Sequence, residues 1–233
     1  MSDGTATLPE REVRERPHRP EEERTKEIVI GGTAVGGLTA AAAGVLSIIG
    51  LAGAFPVWMV TIATIALGIS FLFEGGAIVA RLSSLLHEAT EGRVQMAELG
   101  AGTTGETLAG IAGIVLGILG ILGVLPGVLI PSAAIVFGGA LVIGAGANVR
   151  INDLVITYRE EHPMARHIAR QAVLATTGLQ VLVGLGAITL GIIALAGIVP
   201  LTLSLVAMLG VGVMFLLTNA AIAGRMLSVL QRS

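Results

Sequence analysis

Past a charged head, the chain carries six apolar runs on the scale of a bilayer crossing, and this leaves few folds open to it. A spanning helix needs about 20 residues, each rising about 1.5 Å. The runs extend from Ile28 to Leu51, Val57 to Ala80, Thr107 to Leu122, Gly127 to Val149, Ala172 to Leu195 and Leu201 to Gly224. Of the charged residues, 14 lie between Asp3 and Glu27, so the other 206 positions hold only 16, with long stretches free of any. With 54% hydrophobic and 13% charged residues, the composition is far from that of a soluble domain. The expected fold is all-α: a polytopic membrane protein with six transmembrane helices. No cysteine is present, which excludes disulfide frameworks, thiolate metal sites and cysteine nucleophiles. A net charge of −2 gives no reason to expect nucleic acid as a partner.

The runs pair up. Only Gly53 to Pro56, Gly123 to Pro126 and Gly197 to Pro200 separate the members of each pair, so each pair reads as a tight helical hairpin, closed by glycine and reopened by proline. Two polar connections, Arg81 to Thr104 and Arg150 to Arg170, join the pairs, and every Lys and Arg lies on them or at the termini. Because cytoplasmic loops carry the excess of Lys and Arg, both termini and both connections are expected in the cytoplasm, with the chain in the inner (plasma) membrane. Trp58 and Phe55 beside the first turn, and Tyr158 beyond the fourth run, are the candidate interface anchors.

Residues 1–27 alternate acids and arginines instead of leading from a short basic region into an apolar core, so they do not read as a signal peptide. Pro9, Pro17 and Pro20 within mixed Glu and Arg predict disorder up to about Pro20. Pro20 followed by Glu21, Glu22 and Glu23 then reads as a helix start, with acids against the positive helix end. The expected organisation is a charged cytoplasmic tail, 1–27, and a transmembrane domain, 28–230.

Aligning the turns gives a threefold internal repeat, over about 35–86, 105–155 and 179–230. Gly53/Pro56, Gly123/Pro126 and Gly197/Pro200 fall in register as Gly-x-x-Pro, and twelve residues after each proline stands another glycine, Gly68, Gly138 and Gly212. Leu46, Leu116 and Leu190 each lie ten residues before the proline. Two helices per unit make all three units enter the membrane in the same direction, a parallel repeat of three hairpins about an axis along the membrane normal. Small residues supply close packing where lipid offers no hydrophobic drive. Gly113, Gly117 and Gly120 form such a ridge on the third run, and Ala40 with Gly44, and Gly184, Ala187 and Gly191, form others. The ridges predict that the odd-numbered helices make the packed interior and the even-numbered ones flank it.

The segment from Gly110 to Gly146 reads Gly-Ile-Ala-Gly-Ile-Val-Leu-Gly-Ile-Leu-Gly, then a turn with Pro126, then Phe137-Gly138-Gly139 and Gly144-Ala145-Gly146. It resembles the short repeat of HdeD-type acid-resistance membrane proteins, and the resemblance covers about residues 35–230. It implies three hairpins and a role in membrane-associated acid-stress protection. The chain departs from that pattern in its charged head, longer cytoplasmic connections and low aromatic content.

Glu74 is the ionisable residue placed well inside a run, about 10 Å by helix rise from Arg81. An intramembrane carboxylate is costly, so it is either a satisfied or snorkelling structural group or a proton or cation site. The repeat sets Thr218 opposite it, next to Asn219, and a polar cluster of Glu74, Thr218 and Asn219 is the candidate site. Gly144 and Thr218 at the corresponding positions argue against a rotor-ring proton carrier. Thr103 followed three residues later by Glu106 fits a capping box opening the third helix. Leu82, Leu85, Leu86 and Ala89, and Ile151, Leu154, Val155 and Tyr158, continue as apolar helix faces beyond the membrane. His87, His162 and His167 lie on the connections, where solvated histidines are the ordinary case, and Arg159, Arg166 and Arg170 can meet anionic headgroups.

No catalytic motif, metal-ligand spacing or cofactor signature is present, and the expected function is non-enzymatic, with no cofactor and no metal. The primary reading is an acid-stress membrane protein. A small proton- or ion-coupled transporter or channel using Glu74 is the second, and a scaffold recruiting a cytoplasmic partner through the charged tail is the third. The expected partners are the lipid bilayer and either a second copy of the chain or a cytoplasmic protein.

Overall fold

Proline begins five of the six helices, where its missing N–H costs nothing and its fixed φ suits the first turn. In the computed structural model, α1 (Pro20–Leu51), α2 (Pro56–Glu88), α3 (Met96–Ile121), α4 (Pro126–Arg159), α5 (Pro163–Leu195) and α6 (Pro200–Leu230) follow in order. The structure describes the backbone of residues 20–88, 96–159 and 163–230, and the side chains of residues 35–75, 105–146, 171 and 174–219. The charged tail to residue 19, the side chains of His87, His162, His167, Arg159, Arg166 and Arg170, and the apolar faces beyond the second and fourth runs lie outside the described residues.

Among the described residues, four segments are long and apolar enough to cross a membrane: Pro56–Gly75, Pro126–Gly146, Leu174–Leu195 and Pro200–Asn219. Val35–Leu51 and Gly105–Ile121 are shorter apolar helical segments. Unbroken helix is the one way such a segment satisfies its backbone without water.

The three turns inside the helix pairs share one backbone. Gly53, Gly123 and Gly197 sit at φ of 91°, 78° and 85°. Each glycine N–H donates three residues back, to the carbonyls of Gly50, Gly120 and Ala194, at 3.0, 3.1 and 3.0 Å. The next N–H, of Ala54, Val124 or Ile198, donates five residues back at 3.3, 3.0 and 3.4 Å. This is the Schellman arrangement, which closes the last carbonyls of one helix. The residue before each proline, Phe55, Leu125 or Val199, then accepts the first i→i−4 bond of the next helix.

The six helices form a closed ring in contact, α1 against α2 and onward to α6 against α1, and the even-numbered helices also meet one another inside it. Among the described residues α1, α3 and α5 do not approach each other. This corrects the expectation that the odd-numbered helices make the interior. Among the described residues, every buried hydrophobic residue on α1, α3 and α5 is alanine: Ala40, Ala43, Ala109, Ala187 and Ala194. The bulk is on the others, with Leu67 and Phe71 on α2, Ile130 and Phe137 on α4, and Met208 and Phe215 on α6. Phe71 stacks on Phe137, with centroids 4.9 Å apart and planes at 9°, and meets Phe215 edge-on at 4.5 Å. The axis is filled by side chains, and the outer helices lie in the grooves between the inner ones.

Glycine sets that fit. A Cβ on Gly68 would stand 2.7 Å from the Gly110 carbonyl oxygen, and one on Gly110 would stand 2.7 Å from that of Gly68. The same reciprocal approach joins α4 to α5 at Gly138 and Gly184, at 2.5 and 2.7 Å. Further along α3, a Cβ on Gly117 would meet the Thr61 carbonyl at 3.1 Å and one on Gly120 the Thr61 methyl at 2.7 Å, while Gly113 makes room for the ring of Phe137. These ridges mark where an outer helix presses on an inner one.

Candidate functional site

On α2 the buried positions Val60, Ala63, Leu67 and Phe71 recur at three- and four-residue steps. Glu74 is the next position of that stripe, so it points into the bundle, and it is half-buried. On α3, Ala109, Gly113, Gly117 and Gly120 face inward, and Glu106 continues that face toward the helix start. Glu106 is 2% exposed. The two carboxyls are electrostatic neighbours across the α2–α3 contact.

Glu106 therefore has a different place from the one its local sequence suggests. α3 begins at Met96, ten residues earlier, so Thr103 and Glu106 lie within the helix and do not form a capping box at its start. One carboxylate oxygen of Glu106, Oε1, rests against Gly144 on α4, in the space a Cβ there would occupy. The other, Oε2, is buried and has no hydrogen-bond partner among the described residues. Gln180 on α5, also buried, approaches the same glycine, with its amide nitrogen 3.6 Å from that Cβ position. Glu74, Glu106, Gly144 and Gln180 thus draw α2, α3, α4 and α5 together at one level.

Sequence register explains the level. Glu106 and Gln180 each stand twenty residues before a turn proline, and Gly36 holds that position on α1. Glu74, Gly144 and Thr218 each stand eighteen residues after one. Helix rise puts all of them about 22–27 Å from the turns, at the end of the bundle that carries the polar connections. Counting twenty residues back from each proline would have singled out Glu106 and Gln180 from the sequence.

The other predicted members sit at this level with different partners. Thr218 donates to the Met214 carbonyl at 3.0 Å, and the Asn219 amide donates to the Phe215 carbonyl at 2.9 Å, both on their own helix. Asn219 packs on α1, its Cβ 3.4 Å from where a Gly37 Cβ would be. Near Gly36, hydroxyls replace carboxyls: Thr39 and Ser70 share a 2.7 Å hydrogen bond, and Ser70 also reaches the Gly36 carbonyl at 3.2 Å. The turn glycines and prolines are structural.

On the turn side, the Phe71, Phe137 and Phe215 rings fill the axis one to two helical turns below the carboxyls. Glu74 and Glu106 are the ionisable side chains among the residues whose side chains are described; no Lys, Arg or His is among them. Among the described residues no group of three or more His, Cys, Asp or Glu gathers to hold a metal ion. Two carboxyls with an adjacent amide, set in apolar surroundings with no basic partner described, can take up a proton or a small cation, and ionising both without one would be costly.

Compared with models of known protein families, with curated proteins and with solved structures, the chain matches none.

Proposed function

We propose that the chain is an integral protein of the inner (plasma) membrane that handles protons through Glu74 and Glu106. In this reading all six apolar helices span the bilayer as three like-oriented hairpins, with both termini and both polar connections in the cytoplasm. The shared turn backbone and the register of the polar level support a repeat of three two-helix units. The absence of Lys and Arg from the three turns supports the orientation. Acid-stress protection is the setting implied by the resemblance of Gly110 to Gly146 to HdeD-type repeats.

The observation that carries the proton reading is the buried, partnerless Oε2 of Glu106 beside a second carboxyl. A structural carboxylate at such depth is ordinarily matched by donors, and ionisable groups inside membrane bundles mark ion and proton pathways. The test is a proton-flux assay on purified protein in liposomes under an imposed pH gradient. Wild type is expected to dissipate the gradient faster than empty vesicles, and E106Q and E74Q to lose that activity. Equal rates for wild type and empty vesicles would remove transport as the activity. Survival of a deletion strain at low pH, with and without the restored chain, tests the acid-stress role separately.

A further inference from the structure

The carboxyl level is not symmetric, and the asymmetry bears on what occupies it. Glu106 is almost wholly buried, and Glu74 is half-buried. Around Glu106, α2 contributes Glu74, α4 contributes Gly144 and α5 contributes the uncharged Gln180; Glu74 is the one titratable group among the described residues that faces it. Oε1 lies toward the amide side, and Oε2 is the atom without a partner. An ionised Glu106 would leave Oε2 as an unmatched anion oxygen next to a second anion. With a proton on Oε2 the same atom becomes a donor, and the Glu74 carboxyl, its electrostatic neighbour, is the acceptor the described residues offer it. A second proton would discard that charge-assisted bond.

We propose that Glu74 and Glu106 form a site for one proton, shared between the two carboxyls in a single hydrogen bond that engages Oε2 of Glu106. The ligand is a proton and not a metal cation. Among the described residues no third His, Cys, Asp or Glu joins the two carboxyls to approach the six or more oxygens that a hard divalent ion takes, and Glu106 Oε1, pressed on Gly144, leaves no gap at that glycine. The aromatic cluster lies between the site and the turns, so the proton exchanges more readily with the end of the bundle that carries the polar connections.

This rests on the proton reading above, but its test is an equilibrium count and needs no flux. Infrared difference spectroscopy of the purified full chain in detergent, with hydrogen–deuterium exchange to identify the carbonyl stretch of protonated carboxyls, is expected to find one such group per chain at neutral pH. The E74Q/E106Q chain, checked for retained helicity, is expected to have none. Sodium chloride added in place of choline chloride is expected to leave the wild-type band unchanged. No protonated carboxyl, two of them, or a band that disappears on adding sodium would each overturn the proposal. Since the wild-type count needs no variant, a misfolded double variant would not rescue it. One bound proton with no flux would leave the site standing and remove transport alone.

Discussion

The Glu106 carboxyl lies against the backbone of Gly144, in the space where any other residue would put its Cβ. A glycine at that point is a seat for the acid, and filling it forces the carboxyl to move into packed surroundings. Gly144→Ala is expected to cost about 1–3 kcal/mol, the usual penalty for overpacking. In a Glu106→Ala background the same substitution meets no carboxyl and should cost less than half as much. Reversible unfolding in mixed detergent over the four chains measures the coupling; additive costs would show that the two residues do not share the space.

Backbone-to-backbone contact makes a sharper demand than a movable side chain. At Gly68 and Gly138 an added Cβ would strike carbonyl oxygens at 2.7 and 2.5 Å, so Gly68→Ala and Gly138→Ala must push neighbouring helices apart. Each is expected to cost about 2 kcal/mol or more. Gly212 occupies the corresponding place against α1, but its nearest backbone atom, the Ala40 oxygen, is 3.2 Å away, so Gly212→Ala should be milder. Gly139 and Gly186 have nothing within 4 Å. Alanine there is expected to be neutral or stabilising by up to about 1 kcal/mol, from helix propensity alone. Thermal unfolding of the five variants ranks them, and an equal loss at Gly68 and Gly139 would contradict the contact geometry.

These glycines also show what the sequence could and could not tell. The helix pairs and their punctuation are legible because Gly-x-x-Pro fixes a local event, one helix closing and the next beginning, that needs no distant partner. Which helices occupy the centre is not legible from small residues, because glycine records how near a neighbour comes and says nothing about which of the two is central. The centre is marked by bulk, by Phe71, Phe137 and Phe215, and those residues read as lipid-facing or core-facing with equal ease. Glu106 was obscured by its own surroundings: Thr103-x-x-Glu106 is a local cap signature, and only α2 and α4 packed beside it reveal a buried acid. Glu74 stood out because no polar residue surrounds it in sequence.

Phe71 touches both other rings of the axis, so it is the ring whose loss opens the most space. Phe71→Ala is expected to cost about 3–5 kcal/mol, and Phe73→Ala, 39% exposed on the outer face, less than about 1 kcal/mol. The two differ in function as well. If the rings limit proton passage between the carboxyls and the turns, vesicles holding the Phe71→Ala chain should pass protons faster than those holding wild type, and Phe73→Ala should not. Unchanged permeability in a folded Phe71→Ala chain would mean that the barrier lies elsewhere.

Val199 sits at φ 40° immediately before Pro200, a left-handed conformation that a β-branched residue adopts only under strain. The Schellman turn fixes it there, since Gly197 has closed α5 and the Val199 carbonyl must accept the first bond of α6 from Leu203, at 3.2 Å. Its side chain is 60% exposed, so little packing is lost when it is removed. Val199→Gly relieves about 1–2 kcal/mol of backbone strain and returns part of that as added freedom in the unfolded chain. A net gain of about 0.5–1 kcal/mol is expected, read as a higher unfolding midpoint in detergent. The opposite change at the same turn, Gly197→Ala at φ 85°, places a Cβ in a conformation that rejects it and should cost at least about 1 kcal/mol. A Val199→Gly chain less stable than wild type would show that the valine side chain contributes more at the turn than its backbone costs.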